Sequence, residues 1–518
     1  MDLNAIHVLK NEAFNNSKVM DTMFWLCDAN GPRVSASPGF KKAAEFAKKR
    51  LGEHGMSDVH FEEFDFGRGW QHSKYAGHII EPAYSEVIGF PLAWTPGTDG
   101  PVQGEVVHAP LRNQEDLDKW KGKLKGKIVF VDAARTLELP EKADGHRYTP
   151  EELSKITEAP EPGANAFGRQ GGPAGPGGQP MSREQMMAFR DKLSTFMKDE
   201  GILVVVKTSY AGSGGSVFAS SGGPYQKDKP VPPPGVAIAP EHYNRVIRLL
   251  EKKIPVKMEF ETKAQFFDGP GNAFNVIAEI PGTSKKDEVV MLGAHLDSWQ
   301  GGTGATDNAS GSAVMMEAMR VLKASGLKMN RTIRLGLWCG EEQGLLGSRA
   351  YVKQHFADPA DMKLKPEHSK ISAYFNVDNG SGKIRGIYTQ GNEMVKGLFA
   401  QWLAPFADLG VGPVTNRNTG GTDHQSFDAV GIPGFQFIQD PLDYSTRTHH
   451  SNMDTIDRVQ KGDLIQMAAI VASFAYLAAN REAMVPRKPL PKPQPQRQAP
   501  PATTSSNSSA TAVGGANQ

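Results

Sequence analysis

The sequence has little of several features that would assign it to a special class of protein. Only two of its 518 residues are cysteine, Cys27 and Cys339, so a disulfide framework is excluded. Lysine and arginine total 58 against 57 aspartate and glutamate, a net charge of +1, which predicts no nucleic-acid partner. No unbroken apolar run reaches the roughly 18 residues that a membrane-spanning helix needs, so no membrane span is expected. Composition therefore favours a globular protein of two or three domains.

The amino-terminal residues, Met-Asp-Leu-Asn-Ala-Ile-His, lack the basic, apolar and small-residue pattern of a signal peptide. Two interpretations follow from this observation. The protein is cytoplasmic, or the sequence begins after an export signal that has been removed. The residues alone leave both interpretations open.

Changes in pattern along the chain predict four segments. The N-terminal segment contains a helix that starts at Ser37-Pro38 and a strand at 58–64. The second holds short β-branched strands between Gly and Pro residues, together with a Gly/Pro-rich loop at 160–180, and is expected to be a separate β-rich domain. The third resumes the main domain, and the last is a Pro/Ser-rich tail that we expect to be disordered. The predicted boundaries are 1–80, 81–261, 262–482 and 483–518.

Strand, loop and helix alternate from residue 274 onward. The predicted strands are 289–293, 332–338, 371–377 and 434–438, and the predicted helices are 308–325, 343–356, 391–409 and 462–480. This alternation predicts an α/β fold with a mixed, mainly parallel sheet and helices on both faces.

Histidine and acidic residues follow the four predicted strands of the main domain. The residues are His295 after the first strand, Glu341 and Glu342 after the second, Asp378 after the third and His450 in the loop after the fourth. Each has an ordinary explanation alone, such as a turn or a solvated helix start. In open α/β sheets, however, ligands bind where strands end, so their shared placement favours one site.

The residue types in this set predict metal-assisted hydrolysis. Carboxylates mixed with imidazoles suit zinc best, although cobalt or manganese could substitute. Asp307 is the expected bridge between two metal ions, and Glu341 is the expected general base that takes a proton from water. Asp297 is expected to accept the second N–H of His295. The expected sets of metal ligands are His295 with Asp378 for one ion, and Glu342 with His450 for the other.

The last ligand could be either His449 or His450. Neighbouring residues on an extended loop point to opposite sides, so only one of the two is expected to bind metal. The spacing of the residues alone does not choose between them.

Five stretches of the sequence carry a resemblance to a known family. They are His295-Leu-Asp297, Gly304-Ala-Thr-Asp307-Asn-Ala-Ser-Gly, Gly340-Glu341-Glu342-Gln-Gly, Asn376-Val-Asp378-Asn and His450-Ser-Asn-Met-Asp454-Thr. They resemble motifs of the co-catalytic dizinc exopeptidases, the family of bacterial leucyl aminopeptidase and glutamate carboxypeptidase. Other stretches look closest to the carboxypeptidase Q branch: Gly31-Pro-Arg33, Phe66-Gly-Arg-Gly-Trp70 and Trp94-Thr-Pro-Gly-Thr98.

This resemblance implies several properties of the chain. It implies the zinc exopeptidase fold with an inserted protease-associated domain at 81–261, and two Zn²⁺ ions per chain. It selects His450 over His449, because the family's ligand histidine stands four residues before the Asp of an Asp-Thr pair. It also implies a cis peptide bond between Asp307 and Asn308, a possible homodimer, and a secreted or periplasmic location.

The predicted activity is hydrolysis of dipeptides or short peptides, with carboxypeptidase Q-like cleavage as the first expectation. A carboxypeptidase or dipeptidase needs a cation or hydroxyl for the terminal carboxylate, whereas an aminopeptidase needs carboxylates for the ammonium. We expect Tyr444 and Arg447 to clamp a substrate carboxylate, with Trp299 and His424 lining the pocket. An aminopeptidase of the same fold is the alternative.

Three other interpretations compete with a dizinc peptidase. A receptor-like relative without activity would have lost ligands, but the five ligands and the base are present in the sequence. A glutaminyl-cyclase-like transferase uses a single zinc ion, which His295 and Asp378 together argue against. The third interpretation is a binding role for the middle segment, 81–261, alone.

Overall fold

A computed structural model describes residues 1–139, 141–158, 182–269 and 271–493. The predicted Gly/Pro-rich loop at 160–180 and most of the predicted tail lie outside these residues. The helices are α1 Leu3–Asn16, α2 Val19–Cys27, α3 Pro38–Glu53, α4 Gln114–Trp120, α5 Pro150–Thr157, α6 Arg183–Asp199, α7 Pro240–Glu251, α8 Ser310–Ala324, α9 Leu346–His355, α10 Lys396–Leu403, α11 His424–Asp428 and α12 Lys461–Asn480.

The strands form two mixed sheets of eight strands each. In chain order they are β1 Ser57–Glu63, β2 Gly69–Glu81, β3 Ser85–Glu86, β4 Gly89–Pro91, β5 Val102–His108, β6 Ile128–Phe130, β7 Val204–Thr208, β8 Gly235–Ile238, β9 Lys257–Phe267, β10 Phe274–Ile280, β11 Lys285–His295, β12 Arg331–Trp338, β13 Ile371–Asn376, β14 Ile384–Tyr388, β15 Val414–Thr415 and β16 Gly434–Gln439.

The first sheet has the order β1-β10-β12-β11-β13-β16-β14-β15. Its central strands β12, β11, β13 and β16 run parallel, and antiparallel pairs flank them. Side chains of β11 alternate between two apolar cores, since Val290 and Leu292 pack with α8 and α12 while Val289 and Met291 pack with α9 and α11. The predicted α/β fold with helices on both faces of a mixed sheet is confirmed.

The second sheet has the order β3-β2-β9-β5-β6-β7-β8-β4. Its parallel strands β5 to β8 carry α7 on one face and α4 with α6 on the other. Because β2 pairs with β9, this sheet takes in Gly69–Glu81 and Lys257–Phe267 and so extends beyond the predicted limits of 81 and 261. The identification of this unit as a protease-associated domain stays a prediction.

Several local predictions can be compared with the structure. The helix that starts at Ser37-Pro38 is α3, with Ser37 as its N-cap. The predicted helix 391–409 is divided, because α10 ends at Leu403 and a 3-10 segment, Ala404–Leu409, follows it around Pro405, whose ring nitrogen cannot donate a helical hydrogen bond. The predicted tail from 483 starts as packed chain, since Val485 is 1% exposed and Lys488 pairs with Asp428 at 2.7 Å.

Helix α12 is the central helix of the larger core. Among the described residues, α12 is the one helix that is long and apolar enough to cross a membrane. However, 94% of its most apolar stretch is buried within the protein. It packs against α1 and α8 and against strands of the first sheet. Burial on all sides accounts for its apolar composition.

Candidate metal centre

The site lies where the parallel strands of the first sheet end. His295 is the last residue of β11, Glu341 and Glu342 follow β12, and Asp378 follows β13. β11 pairs in parallel with both β12 and β13, so the three strands end at one edge of the sheet. The structure therefore brings together side chains that are more than 80 positions apart in sequence.

Asp307 lies between the two histidines of the site. Its Oδ1 is 3.3 Å from His295 Nε2, and its Oδ2 is 3.3 Å from His450 Nε2. The side chain is 5% exposed. Each carboxylate oxygen thus faces a different imidazole, which is the arrangement a bridging carboxylate needs.

Each histidine also lies against a second carboxylate. His295 Nε2 is 3.5 Å from Asp378 Oδ1, and His450 Nε2 is 3.0 Å from Glu342 Oε2. The structure therefore brings the five predicted ligands into two overlapping sets that share Asp307.

The donor set fits a pair of metal ions. Asp307 Oδ2 and Glu342 Oε1 are buried and accept no hydrogen bond from the residues that the structure describes. Buried acceptors of this kind need a donor or a cation. In each of three groups of side chains, the possible ligand atoms lie within 4.8 Å of one another. The groups are Asp307 with His449 and His450, His295 with Glu341 and Asp378, and His295 with Asp307 and Glu342. Carboxylate oxygens and imidazole nitrogens suit zinc.

The electrostatics of the site reflect this crowding of buried charges. Burial would lower the pKa of His295, but the carboxylates of Asp378 and Glu341 raise it well above its usual value. Burial and the neighbouring Asp307 raise the pKa of Glu342 to about 7, with His450 opposing the shift. Buried carboxylates and imidazoles therefore face one another at close range here, and a bound cation would compensate the buried negative charge.

Glu341 is buried beside the ligands, and its position differs from that of Glu342. Its Oε2 is 3.9 Å from His295 Nε2, and the residue is 8% exposed. Burial raises its pKa well above the usual value, and the carboxylates of Asp378 and Asp423 add to this shift against the opposing imidazole of His295. A buried carboxyl group with a raised pKa beside a reaction site is suited to proton transfer.

Asp297 contacts His295 differently from the prediction. The acceptor nearest to His295 Nδ1 is the backbone carbonyl of Asp297 at 3.0 Å, whereas the carboxylate Oδ1 is 3.7 Å away. The carboxylate instead accepts the backbone N–H groups of Glu341 at 3.3 Å and Glu342 at 3.4 Å, and the Ser35 hydroxyl at 2.8 Å. Asp297 therefore orients the turn that carries the two glutamates as well as the imidazole.

The loop that carries Asp307 is held by two buried charges. Ala305–Ala309 form a π-helical turn, and the peptide bond between Asp307 and Asn308 is cis, which confirms that expectation. Asp454 accepts the N–H of Thr306 at 2.6 Å and that of Asp307 at 3.2 Å. The buried Arg33 guanidinium donates to the Gly304 carbonyl at 2.8 Å.

His449 and His450 do not point to opposite sides, so that expectation is wrong. His450 has a φ of 63°, and the two imidazole rings lie 3.7 Å apart between centroids. His449 Nε2 is 3.7 Å from Asp307 Oδ2, against 3.3 Å for His450 Nε2. Of the two histidines, His450 also lies beside Glu342, with its Nε2 3.0 Å from Glu342 Oε2, so it is the better placed of the two as a ligand.

The four predicted substrate contacts have different surroundings in the structure. The Trp299 ring meets the His450 ring edge-on, with centroids 5.9 Å apart. The Tyr444 ring is 4.7 Å from that of His449. The Arg447 guanidinium donates to Asp144. His424 is fully buried and hydrogen-bonds with Gln390 and the Thr419 carbonyl, and burial lowers its pKa to about 4.

Two further acids, Asp454 and Asp423, lie at this site although no role was predicted for them. Asp454 holds the Asp307 loop, and its spacing of four residues from His450 was the available signal. Asp423 is fully buried, and burial raises its pKa to about 7, with His295 opposing the shift. Its place before His424, in the Thr422-Asp423-His424 stretch, gave no indication of burial beside the ligands.

Comparisons with known proteins agree with this geometry. Residues 275–475 match the sequence pattern of Peptidase family M28. Carboxypeptidase Q of Mus musculus is 25% identical over 465 residues, covering 89% of this chain and 86% of the relative. A probable leucine aminopeptidase of Arthroderma otae is 32% identical over 219 residues, covering 39% of this chain and 57% of the relative.

A solved structure extends the likeness to the whole fold. The crystal structure of a peptidase M28 precursor from Shewanella amazonensis superposes with a TM-score of 0.66 at 24% identity. It covers 94% of this chain and 98% of that one. Both sheets therefore fall within the region of shared fold.

Proposed function

Because the chain is a zinc metallopeptidase of the dizinc exopeptidase family, close to carboxypeptidase Q, we propose that it hydrolyses dipeptides or short peptides at the centre around Asp307. The observation that carries this proposal is the placement of the two Asp307 oxygens, one 3.3 Å from His295 and the other 3.3 Å from His450. A carboxylate placed in this way could bind one cation through each of its oxygens.

The proposed ligands use the two sets that the structure brings together. His295 and Asp378 would hold one zinc ion, Glu342 and His450 the other, and Asp307 would bind both. When bound, such a pair of ions polarises the scissile carbonyl and lowers the pKa of a shared water towards ~7.

The protein's own groups would then move the protons. Glu341 is proposed to take the water proton and to deliver it to the leaving amine, because it is buried beside the ligands and its pKa is raised. Asp297 would act as a positioning residue, since it accepts the backbone N–H groups of both Glu341 and Glu342. The buried Trp299 beside His450 helps to exclude bulk water from this place.

The proposed direction of cleavage is that of carboxypeptidase Q, and an aminopeptidase is the second candidate. The likeness to carboxypeptidase Q of Mus musculus runs along 89% of the chain, which favours the first. The likeness to a probable leucine aminopeptidase is higher in identity but covers only 39% of the chain. Tyr444 and Arg447, near His449 and on the same loop, are the proposed contacts of a substrate carboxylate.

Hydrolysis of one dipeptide in three forms tests this function. Zinc-loaded protein is given the free dipeptide, its N-acetyl form and its C-terminal amide. Cleavage of the free and acetylated forms but not the amide is expected for a carboxypeptidase. Cleavage of the free and amidated forms only would identify an aminopeptidase, and cleavage of the free form alone a dipeptidase. If no form is cut while two metal ions are bound, the peptidase function is wrong.

An Arg447→Ala variant tests the carboxylate clamp. A charge-assisted hydrogen bond to a carboxylate contributes about 1.5–3 kcal/mol, so KM for the free dipeptide is expected to rise about tenfold or more while kcat changes little. Steady-state kinetics of the wild type and the variant measure both constants.

Arg458→Ala is the matched control for this variant. Arg458 and Arg447 both lie near Asp443 Oδ2, at 3.4 Å and 3.9 Å, but Arg458 has no proposed substrate contact. A KM that stays at the wild-type value in Arg447→Ala would show that the pairing of Arg447 with Asp144 is purely structural.

Two wider properties are proposed on the family resemblance alone. One is a secreted or periplasmic location, and the other is a homodimer. Size-exclusion chromatography with light scattering measures the second directly.

A further inference from the structure

A large cavity leads from the proposed metal centre into the second sheet. Its volume is about 570 Å³, and its lining includes Trp299, Glu342 and Gln343 from the first unit and Asp132, Val205 and Lys207 from the second. Cavities of this size hold small ligands or short peptides. A substrate held at Glu342 can therefore extend along this cavity towards β6 and β7.

More than half of the cavity wall is apolar. Leu92, Trp94, Leu193, Met197, Val205 and Pro232 contribute to it. Trp94 packs edge-on against Trp299 at 5.8 Å, which joins the apolar wall to the residues beside His450. Such walls suit the carbon skeleton of a peptide, and the few charged groups among them decide its orientation.

Most of the charged groups that line the cavity already have a partner. Lys229 pairs with Asp191 at 2.6 Å, and Arg112 pairs with Asp116 at 3.2 Å. The Asp132 carboxylate accepts the N–H of Thr208 at 2.9 Å. Glu342 belongs to the metal centre.

Lys207 is the exception at the inner wall. It lies on β7 and is only partly exposed, yet its ammonium has no carboxylate within 4 Å and no hydrogen bond among the residues that the structure describes. Burial lowers its pKa, Asp132 opposes the shift, and Arg190 adds to it. Arg190 also lines the cavity but is exposed. A partly buried ammonium without a partner is stabilised by an incoming anion.

We propose that Lys207 binds an acidic side chain of the peptide substrate on the side of the cavity that the second sheet forms. This inference rests on the proposed peptidase function and adds a substrate class, short peptides that carry an acidic side chain away from the scissile bond. The C-terminus is not that group, because the proposed carboxypeptidase direction places it next to the scissile bond. The second sheet would then contribute directly to substrate selection.

Two tripeptides isolate the contribution of the acidic side chain. Both carry an N-terminal acetyl group and a free C-terminus, because the proposed carboxypeptidase direction requires a free C-terminus. They differ only at the residue farthest from the scissile bond, which is glutamate in the first and glutamine in the second. The wild type is expected to prefer the first over the second in kcat/KM.

A Lys207→Met variant tests the role of the ammonium. Its preference for the glutamate over the glutamine tripeptide is expected to fall about tenfold or more, and Lys207→Arg is expected to restore most of it. Lys127→Met is the matched control, because Lys127 directly precedes β6 of the same sheet, pairs with Glu105, and does not line the cavity. An unchanged preference in folded, zinc-loaded Lys207→Met would overturn the proposal.

A binding measurement separates failure of this inference from failure of the peptidase function. If the wild type cuts neither tripeptide, the proposed function fails, but calorimetric titration with the glutamate tripeptide still tests Lys207. Weaker binding of this tripeptide by Lys207→Met than by Lys127→Met would support the proposal, and equal binding would contradict it.

Discussion

A Glu341→Gln variant is expected to lose catalysis while keeping both zinc ions. Glutamine has nearly the same shape as glutamate but cannot take a proton, so kcat for the free dipeptide should fall about 10²–10⁴-fold. Glu341 is buried with Oε2 3.9 Å from His295 Nε2, and it has no proposed ligand role. The metal content, measured by atomic emission, should therefore stay at two zinc ions per chain.

The control for this variant is Glu86→Gln, which changes an exposed glutamate on β3 of the second sheet. It should leave kcat at the wild-type value. A Glu341→Gln enzyme with more than about a tenth of wild-type kcat would remove Glu341 from the proton transfer. Loss of zinc in the same variant would make Glu341 a ligand instead.

An Asp307→Asn variant is expected to lose zinc as well as activity. An amide offers one acceptor oxygen and no charge, so it cannot join the set around His295 to the set around His450. The zinc content should fall to one ion per chain or less, and kcat/KM should fall more than about a thousandfold, equivalent to about 4 kcal/mol of transition-state stabilisation.

The two variants are both expected to lose activity but to differ in zinc content. Glu341→Gln separates activity from metal content, whereas Asp307→Asn is expected to reduce both. Asp287→Asn serves as the control for the second, because Asp287 is an exposed residue on β11 of the same sheet. Two tightly bound zinc ions in folded Asp307→Asn would contradict the bridging role.

Much of the architecture of the site could be predicted from the sequence. The parallel strands β11, β12 and β13 have largely apolar C-terminal halves, and a histidine or an acid lies at the end of each or within three residues of it. Because parallel strands end at one edge, sequence order was enough to predict that His295, Glu341 and Asp378 lie together.

Features set by backbone geometry or by partners distant in sequence could not be predicted in this way. The side to which His449 points depends on the positive φ of His450. His295 Nδ1 contacts the backbone carbonyl of Asp297 because the Asp297 carboxylate is used by the turn that follows β12. The true extent of the second sheet depends on the pairing of β2 with β9, nearly 180 positions later in the chain.

The position of Lys207 in the cavity could not be predicted from the sequence either. In the sequence it is one polar residue at the end of a strand of valines, which is an ordinary place for a solvated lysine. Its significance appears only when β6, β7 and the loop of Glu342 are seen to enclose one cavity.

The most direct test of the central claim is anomalous X-ray scattering from zinc-soaked crystals, with data collected on both sides of the zinc absorption edge. Two anomalous peaks are expected on either side of Asp307, about 3.5–4 Å apart, one beside His295 and Asp378 and the other beside Glu342 and His450. A single peak, or two peaks that do not share Asp307, would contradict a dizinc centre bridged by this carboxylate.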